Sequence, residues 1–239
     1  MRATHKEKNV TQPVSNRIIA MLPAVERADL LRRCTETELA FGDIVIEPGQ
    51  KIRYVCFPTT AFISTTAAVD TSGSLEIGLV GFEGMFGNEL ALGVNTSALR
   101  GIVQGSGSAL RVSAADFRAL VSASPTLHRI LLRYSHVVTT QFAQVAVCSA
   151  YHVVEARLAR WLLLTHDRAQ SDTFHVTHEL LAEMLGVRRA GVSIAAAALQ
   201  SRDLISYSRG RVTVTNRKGL EAVSCECYKA ATKIYDACL

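Results

Sequence analysis

The chain has 239 residues, 49% of them apolar and 20% charged. That balance suits a core-forming protein of one large or two small domains and excludes an intrinsically disordered one. The net charge of +5 is unevenly placed: from Gly186 to Lys218 seven cations face Asp203 alone, a local +6 on a body of −1, which is the footprint expected for a polyanion partner.

The opening, MRATHKEKNVTQPVSN, lacks the apolar stretch of a signal peptide, and residues 1–20 read as a loose N-terminal tail. No apolar run approaches the ~20 residues that span a bilayer, so the expectation is a cytoplasmic chain without a membrane partner. Leu22 to Arg33 has the spacing of a short helix with Pro23 in its first turn. From Glu38 to about Val112, strand-like runs (DIVIEPGQ, AFISTTAAV, DTSGSLEIGLVG, GIVQGSGSALRVS) are broken at Pro48-Gly49, Ser72-Gly73 and Gly105-Ser106-Gly107. Many short strands at this spacing predict a sandwich or barrel-like β-roll, here assigned to residues 21–124. Ser113, three residues before Asp116, opens a further helix with a near-complete capping box.

Pro125 then starts a long helix, residues 125–150. Leu127, Ile130, Leu131, Tyr134, Val137, Val138, Gln141, Phe142, Val145 and Cys148 fall at three- and four-residue steps, one apolar stripe for about three heptads. Such a stripe can pack on its own β-domain or on a second copy of the chain. The length of the run favours a dimer seam through Leu127, Leu131, Tyr134, Val138, Phe142 and Val145, and part of the stripe can serve both. SAYHVV, residues 149–154, breaks the pattern as a hinge. EARLARWLLLTHD resumes a helix with Ala156, Leu158, Ala159, Leu162 and Leu163 inward, and Asp167 to Asp172 reads as a polar loop.

Residues 151–239 carry the informative motif. Thr177 is a good N-cap. Leu180, Leu181, Met184 and Leu185 form the inner face of a short helix that Gly186 ends. A second helix, from about Arg188 to Ser201, has Val192, Ala195, Ala196 and Leu199 on its core side. Helix, Gly-centred turn and helix make a helix-turn-helix, whose second helix would enter the major groove of double-stranded DNA with Arg188, Arg189 and Ser193 at its reading end. LISYSRGRVTV then alternates around Arg209-Gly210-Arg211 as a two-stranded wing. Arg209 and Arg211, with Arg202 and Thr177, are the expected phosphate contacts. The predicted fold is α+β: a β-roll, a long helix and a C-terminal winged helix-turn-helix.

THELLAEMLGVRRAGVSIAAAALQSRDLISYSRGRVTV, together with this order of elements, resembles the Crp/Fnr family of bacterial transcription regulators over nearly the whole chain; GFEGMFG (Gly81–Gly87), VRR and CECY (Cys225–Tyr228) resemble one subgroup of it. The resemblance implies a cyclic-nucleotide-binding-like sensory roll, a homodimer on a two-fold-related operator, and RNA polymerase as a further partner. It assigns base reading to Arg189 and phosphate contact to Thr177. Ala190 stands where an acidic residue is common, and Ile194 where a later Arg is. The effector cassette also departs. FGNELALGVNTSALRG inserts Asn88 between Gly87 and Glu89 and ends in Arg100-Gly101 rather than Arg-Ser. Gly87, Glu89 and Arg100 are the candidate effector residues, an incomplete set for an anionic phosphate, so no cyclic-nucleotide cofactor is expected. The helix positions where some members set hydroxyls against a purine fall near Phe142 and Ala143.

The six cysteines are expected as reduced thiols. Cys225 and Cys227 would point to different sides of a helix and lack the usual zinc spacing. Even with His175 and His178 as further donors, no metal site is expected. There is no N-terminal cysteine cluster for an iron–sulfur centre, and His136 lies off the stripe in no haem-like context. No nucleophile–base set, P-loop or paired-carboxylate site points to an enzyme. The alternative to a DNA-binding regulator is a small-ligand-binding module whose helical half contacts protein.

Overall fold

The computed structural model describes residues 16–68 and 73–239. The first fifteen residues of the expected tail and the end of the strand-turn at Val69–Ser72 lie outside the described residues. The rest of that tail is not loose. Asn16 caps α1 (Arg17–Ala20) by accepting from the Ile19 amide, and its own amide donates to Pro58 O (3.0 Å) and Gly84 O (2.8 Å). Ile18 and Ile19 are fully buried. Two adjacent isoleucines on one turn cannot be left in water when a core lies beside them.

After α2 (Ala24–Arg32), with Pro23 as its N-cap, the roll is built from β1 (Thr35–Leu39), β2 (Ile44–Ile46), β3 (Tyr54–Pro58), β4 (Phe62–Ala68), β5 (Ser74–Val80), β6 (Arg100–Gly105) and β7 (Gly107–Ser113). They form two antiparallel sheets, ordered β1-β7-β3 and β2-β6-β4-β5. The strand signals missed β1 and β3. β1, TETEL, is polar at most positions, and β3, YVCFP, ends in a proline that only an edge strand accommodates. In β6, Gly101 and Gly105 leave room for the rings of Phe86 and Phe62, which a Cβ at either position would strike.

Ser113 caps α3 (Ala114–Ala123): it accepts from the Asp116 amide at 3.1 Å and donates to the Asp116 carboxylate at 2.6 Å. Ser124 then caps α4 (Pro125–Tyr151), a helix of 27 residues. Its apolar stripe is spent within the chain. Leu127, Leu131 and Tyr134 are essentially inaccessible and share the roll's core with Ile130 and Val137; Val145 is also buried. Val138 is partly buried against the same core, and Phe142 lies over Gly78 of β5. Leu127, Leu131, Tyr134 and Val145 are therefore corrected out of the expected seam, while Val138 and Phe142 stay partly exposed. A heptad-like period reports that a stripe is covered, and a sheet of the same chain covers it as well as a partner helix would.

The helix breaks at His152–Val153, and α5 (Val154–Ala169) follows. It extends to Ala169, so Asp167 and Arg168 are helical and not in a loop. Arg168 is buried and donates from Nε to Glu83 Oε1 at 2.8 Å, with Nη2 in ion-pair contact with the same oxygen at 2.7 Å, while Asp167 holds Arg217 at 2.6 Å. The remaining elements are β8 (Thr173–His175), α6 (His178–Leu185), α7 (Arg189–Gln200), β9 (Ile205–Ser208), β10 (Arg211–Val214), α8 (Arg217–Val223) and α9 (Cys227–Cys238). All but α9 surround a second core centred on Leu158, Leu162, Leu181, Val192 and Leu199; α9 gives Tyr228 to that core and Tyr235 to the core of the roll. No helix among the described residues is long and apolar enough to cross a membrane.

The two halves meet along β5 and the 81–87 loop. Glu83 binds Arg168; Ser74 donates to Glu183 at 2.6 Å; Leu75 lies against Gly186; and the Phe41 ring meets His175 edge-on at 5.7 Å. The GFEGMFG segment is thereby explained. Gly84 leaves space for the Tyr134 hydroxyl, which donates to Met85 O at 2.9 Å, and Glu83 crosses to α5.

Glu76 is buried in this seam, and burial raises its carboxyl pKa to about 7 despite the Ser64 hydroxyl donating to it at 2.6 Å. A folded-state pKa above the unfolded one means that the native state holds the extra proton. Stability then falls as pH rises from the ordinary carboxylate range through about 7. Glu76→Gln should flatten this decline, by up to about 3 kcal/mol between about pH 5 and about pH 8. Thermal melts across that window check it; equal slopes for both proteins would place Glu76 in the ordinary range.

Candidate nucleic-acid interface

The reading head begins at Thr177, whose hydroxyl accepts from the Leu180 amide at 3.2 Å. Leu181, Ala182, Met184 and Leu185 of α6 are buried, and Leu180 is half-buried. Gly186 ends the helix at φ +62°, a conformation that glycine adopts without a Cβ clash, while the Val187 amide returns to Ala182 O at 3.0 Å. Arg188 is the N-cap of α7. Val192, Ala195, Ala196 and Leu199 are buried. The two alanines let α7 lie close to α5 and α6.

The outer surface of this unit carries Arg188, Arg189, Ala190 and Ile194, all exposed; Ile194 is 73% exposed. Arg189 pairs with Glu179 at 2.6 Å, but both side chains are about two-thirds exposed. An ion pair in water is weak, so a phosphate or guanine can replace Glu179 at small cost. Ser193 is held differently. Its hydroxyl lies 3.0 Å from His178 Nδ1, and the His178 ring stacks on Tyr207 at 4.3 Å. That bond ties α7 to α6 and the wing, and it uses the group expected to read a base. Burial and the nearby Arg189 charge lower the His178 pKa, which favours the neutral ring.

The wing is the sheet β8-β10-β9. Arg209 and Gly210 turn the β9–β10 hairpin with φ of +50° and +73°, the two-residue turn that suits the twist of paired strands. A non-glycine residue in that region costs on the order of 1 kcal/mol. Here the strained position carries an exposed cation, and Arg211 stands exposed beside it.

Not every expected contact joins this face. Arg202 lies at the far end of α7, bonded to Glu155 of α5 and to Ala198 O. Arg217, counted in the basic stretch, is held by Asp167, Glu221 and the Tyr228 hydroxyl. The basic count thus overstated the free cations. Ile194, which the sequence marked only as a departure from the family's later Arg, is the residue whose place on this face was not assigned. Its signal was available as a large apolar side chain off the α7 core positions.

In the roll, Gly87 and Glu89 line one cavity of about 230 Å³ with Ser135, Val138, Thr139 and Phe142. Arg100 is not among its lining residues. Its guanidinium is bound by the Glu47 carboxylate through two hydrogen bonds of 2.8 Å. The described lining contains no Lys, Arg or His, and Glu89 is its one charge. This cavity does not fit the anionic phosphate of a cyclic nucleotide, and the expected trio is corrected to a pair. Ala143 is exposed, so only Phe142 of the two purine-facing positions reaches the cavity.

Residues 156–223 match the family model of the Crp-like helix-turn-helix domain. The chain carries a Crp-like helix-turn-helix domain. Its overall fold is that of Crp/Fnr-family transcription regulators. FixK2 from Bradyrhizobium japonicum superposes with a TM-score of 0.68 at 14% identity, over 80% of this chain and 98% of that one. The c-di-GMP-responsive global regulator CLP from Xanthomonas campestris gives 0.65 at 18% identity, over 80% and 99%. A CRP/FNR-family transcriptional regulator from Thermus thermophilus gives 0.66 at 18% identity, over 80% and 98%. Among curated proteins, none matches the chain.

Within the Crp-like domain, Gly186→Ala should lower the unfolding free energy by about 1–2 kcal/mol, because an L-residue is strained at this φ and its Cβ would press on Leu75. Denaturant titration checks this, and an unchanged midpoint would show that the turn relaxes freely.

Proposed function

We propose that the protein is a sequence-specific DNA-binding transcription regulator that acts as a homodimer. The observation that carries this reading is the joint exposure of Arg188, Arg189 and Ile194 on α7 and of Arg209 and Arg211 on the wing, within a Crp-like domain. Arg189 can pair in two places with guanine O6 and N7, and Ile194 offers an apolar surface for a thymine methyl. Thr177, Arg209 and Arg211 fit phosphates. Ser193 supports the reading end through His178 and need not touch a base, and Arg202 braces α7 against α5.

The dimer is proposed through the face of α4 turned away from the roll. Leu132, His136, Ala143, Ala146 and Ala150 are exposed there at steps of three, four or seven residues. The alanines permit close approach of a second helix, and Leu132 and Val147 are about half exposed. Pairing there would present two reading heads to a two-fold-related operator, with RNA polymerase as a further contact. The roll then acts as a repurposed sensor, because its cavity favours a small uncharged molecule over a cyclic nucleotide.

Selection of bound duplexes from a random pool should return a two-fold-symmetric site. Arg189→Ala should weaken that site by about 1–3 kcal/mol and flatten preference at one base pair. Arg209→Asn, which keeps the turn, should weaken all sequences alike and reduce the salt slope by about 1. Absence of salt-dependent duplex binding would overturn the reading. Ala143→Arg should shift the sedimenting species from dimer to monomer without lowering helix content; a dimer that persists would move the seam elsewhere.

A further inference from the structure

We propose that Cys148, His152, Cys225 and Cys227 form a closed four-ligand site for one zinc ion. Each offers one donor atom, and the four donors all lie within 4.8 Å of one another. The expectation that the last two cysteines diverge on a helix fails, because only Cys227 is helical. Cys225 precedes a turn at Glu226, and that turn brings both sulfurs to the end of α4. His175 and His178 take no part: they face Phe41 and Ser193.

Two of the separations match those of a tetrahedral site around a single ion. Cys148 Sγ lies 3.6 Å from Cys225 Sγ, and Cys227 Sγ lies 3.5 Å from His152 Nδ1. Zinc–sulfur bonds of about 2.3 Å and zinc–nitrogen bonds of about 2.0–2.1 Å at tetrahedral angles place ligand sulfurs roughly 3.8 Å apart and sulfur and nitrogen roughly 3.6 Å apart. Donors crowded round one point suit one ion rather than a multi-iron cluster. Three soft thiols with one imidazole is a zinc donor set.

The surroundings are arranged for those ligands. His152 Nε2 lies 3.2 Å from the Glu226 carboxylate, which holds the proton on that nitrogen and leaves Nδ1 its lone pair. Gln144 donates to Cys227 Sγ at 2.9 Å. Three thiolates, a neutral imidazole and Zn²⁺ sum to −1. Arg157 and Arg160, both buried, are close enough to act on the charges of Cys148 and Cys225. The three sulfurs are buried and His152 is partly so, which closes the site to further ligands. The ion would join the last turn of α4, the hinge and the α8–α9 turn. The site is independent of DNA binding.

The test uses the full chain purified in reductant without chelator. Elemental analysis should give about one zinc per chain. The stripped chain, reloaded with Co²⁺, should show thiolate-to-cobalt charge transfer and the strong visible bands of tetrahedral cobalt. Cys148→Ser and Cys227→Ser should each reduce zinc to background, while Cys34→Ser should retain it. Glu226→Gln should weaken zinc by about 10–100-fold. Should the serine variants misfold, alkylation of the wild-type chain decides: zinc should protect three thiols, and chelator should expose them. Three outcomes overturn the proposal. They are no zinc or cobalt uptake by the reduced chain, equal alkylation with and without zinc, and a native Cys148–Cys225 disulfide in its place.

Discussion

The structure depends on how α4 divides its circumference. One side is committed to the roll, where Leu127, Ile130, Leu131, Tyr134 and Val137 are buried; side chains of this kind contribute about 1.5–3 kcal/mol each when removed from water. That commitment makes the helix part of the β-roll half rather than a separate rod. It leaves the opposite side exposed and carries the end of the helix to the Crp-like domain. A change in the roll's cavity, which Ser135, Val138, Thr139 and Phe142 line, therefore reaches the hinge through a single rigid element.

The contact between the halves is polar at its centre. A buried ion pair such as Glu83–Arg168 adds little net stability, because desolvation of two charges offsets much of their attraction, but losing either partner is costly. Its geometric demand is strict: the hydrogen bond and the ion-pair contact both converge on Glu83 Oε1, which fixes one position of α5 relative to the 81–87 loop. The protonation preference of Glu76 belongs to the same seam. These groups select one placement of the reading head against the roll, whereas an apolar seam would tolerate sliding.

The helix-turn-helix was legible because its determinants are local: a threonine cap, a glycine at positive φ, alanines at close contacts and alternation in the wing each act within a few residues. The same holds for the Ser113 cap and for the start of α4. What could not be read were choices among partners. Arg100 is bound by Glu47, Arg202 by Glu155 and Arg217 by Asp167, and each pair joins residues that only folding brings together. The α4 stripe gave the right helix but not its neighbour, since periodicity encodes coverage and not its source. The cysteine–histidine cluster was hidden for a related reason: Cys148 and His152 are one turn apart, but the other two donors come from beyond the winged domain.

The short hinge has a mechanical corollary. Only His152 and Val153 separate α4 from α5, and α5, at 16 residues, is a lever arm of roughly 24 Å. A swivel of about 10° at its pivot sweeps the far end through roughly 4 Å, comparable with the 3.4 Å rise from one base pair to the next. Arg168 sits at that far end. The latch is thus placed where angular play converts into the greatest travel, so a small twist is enough to unfasten it.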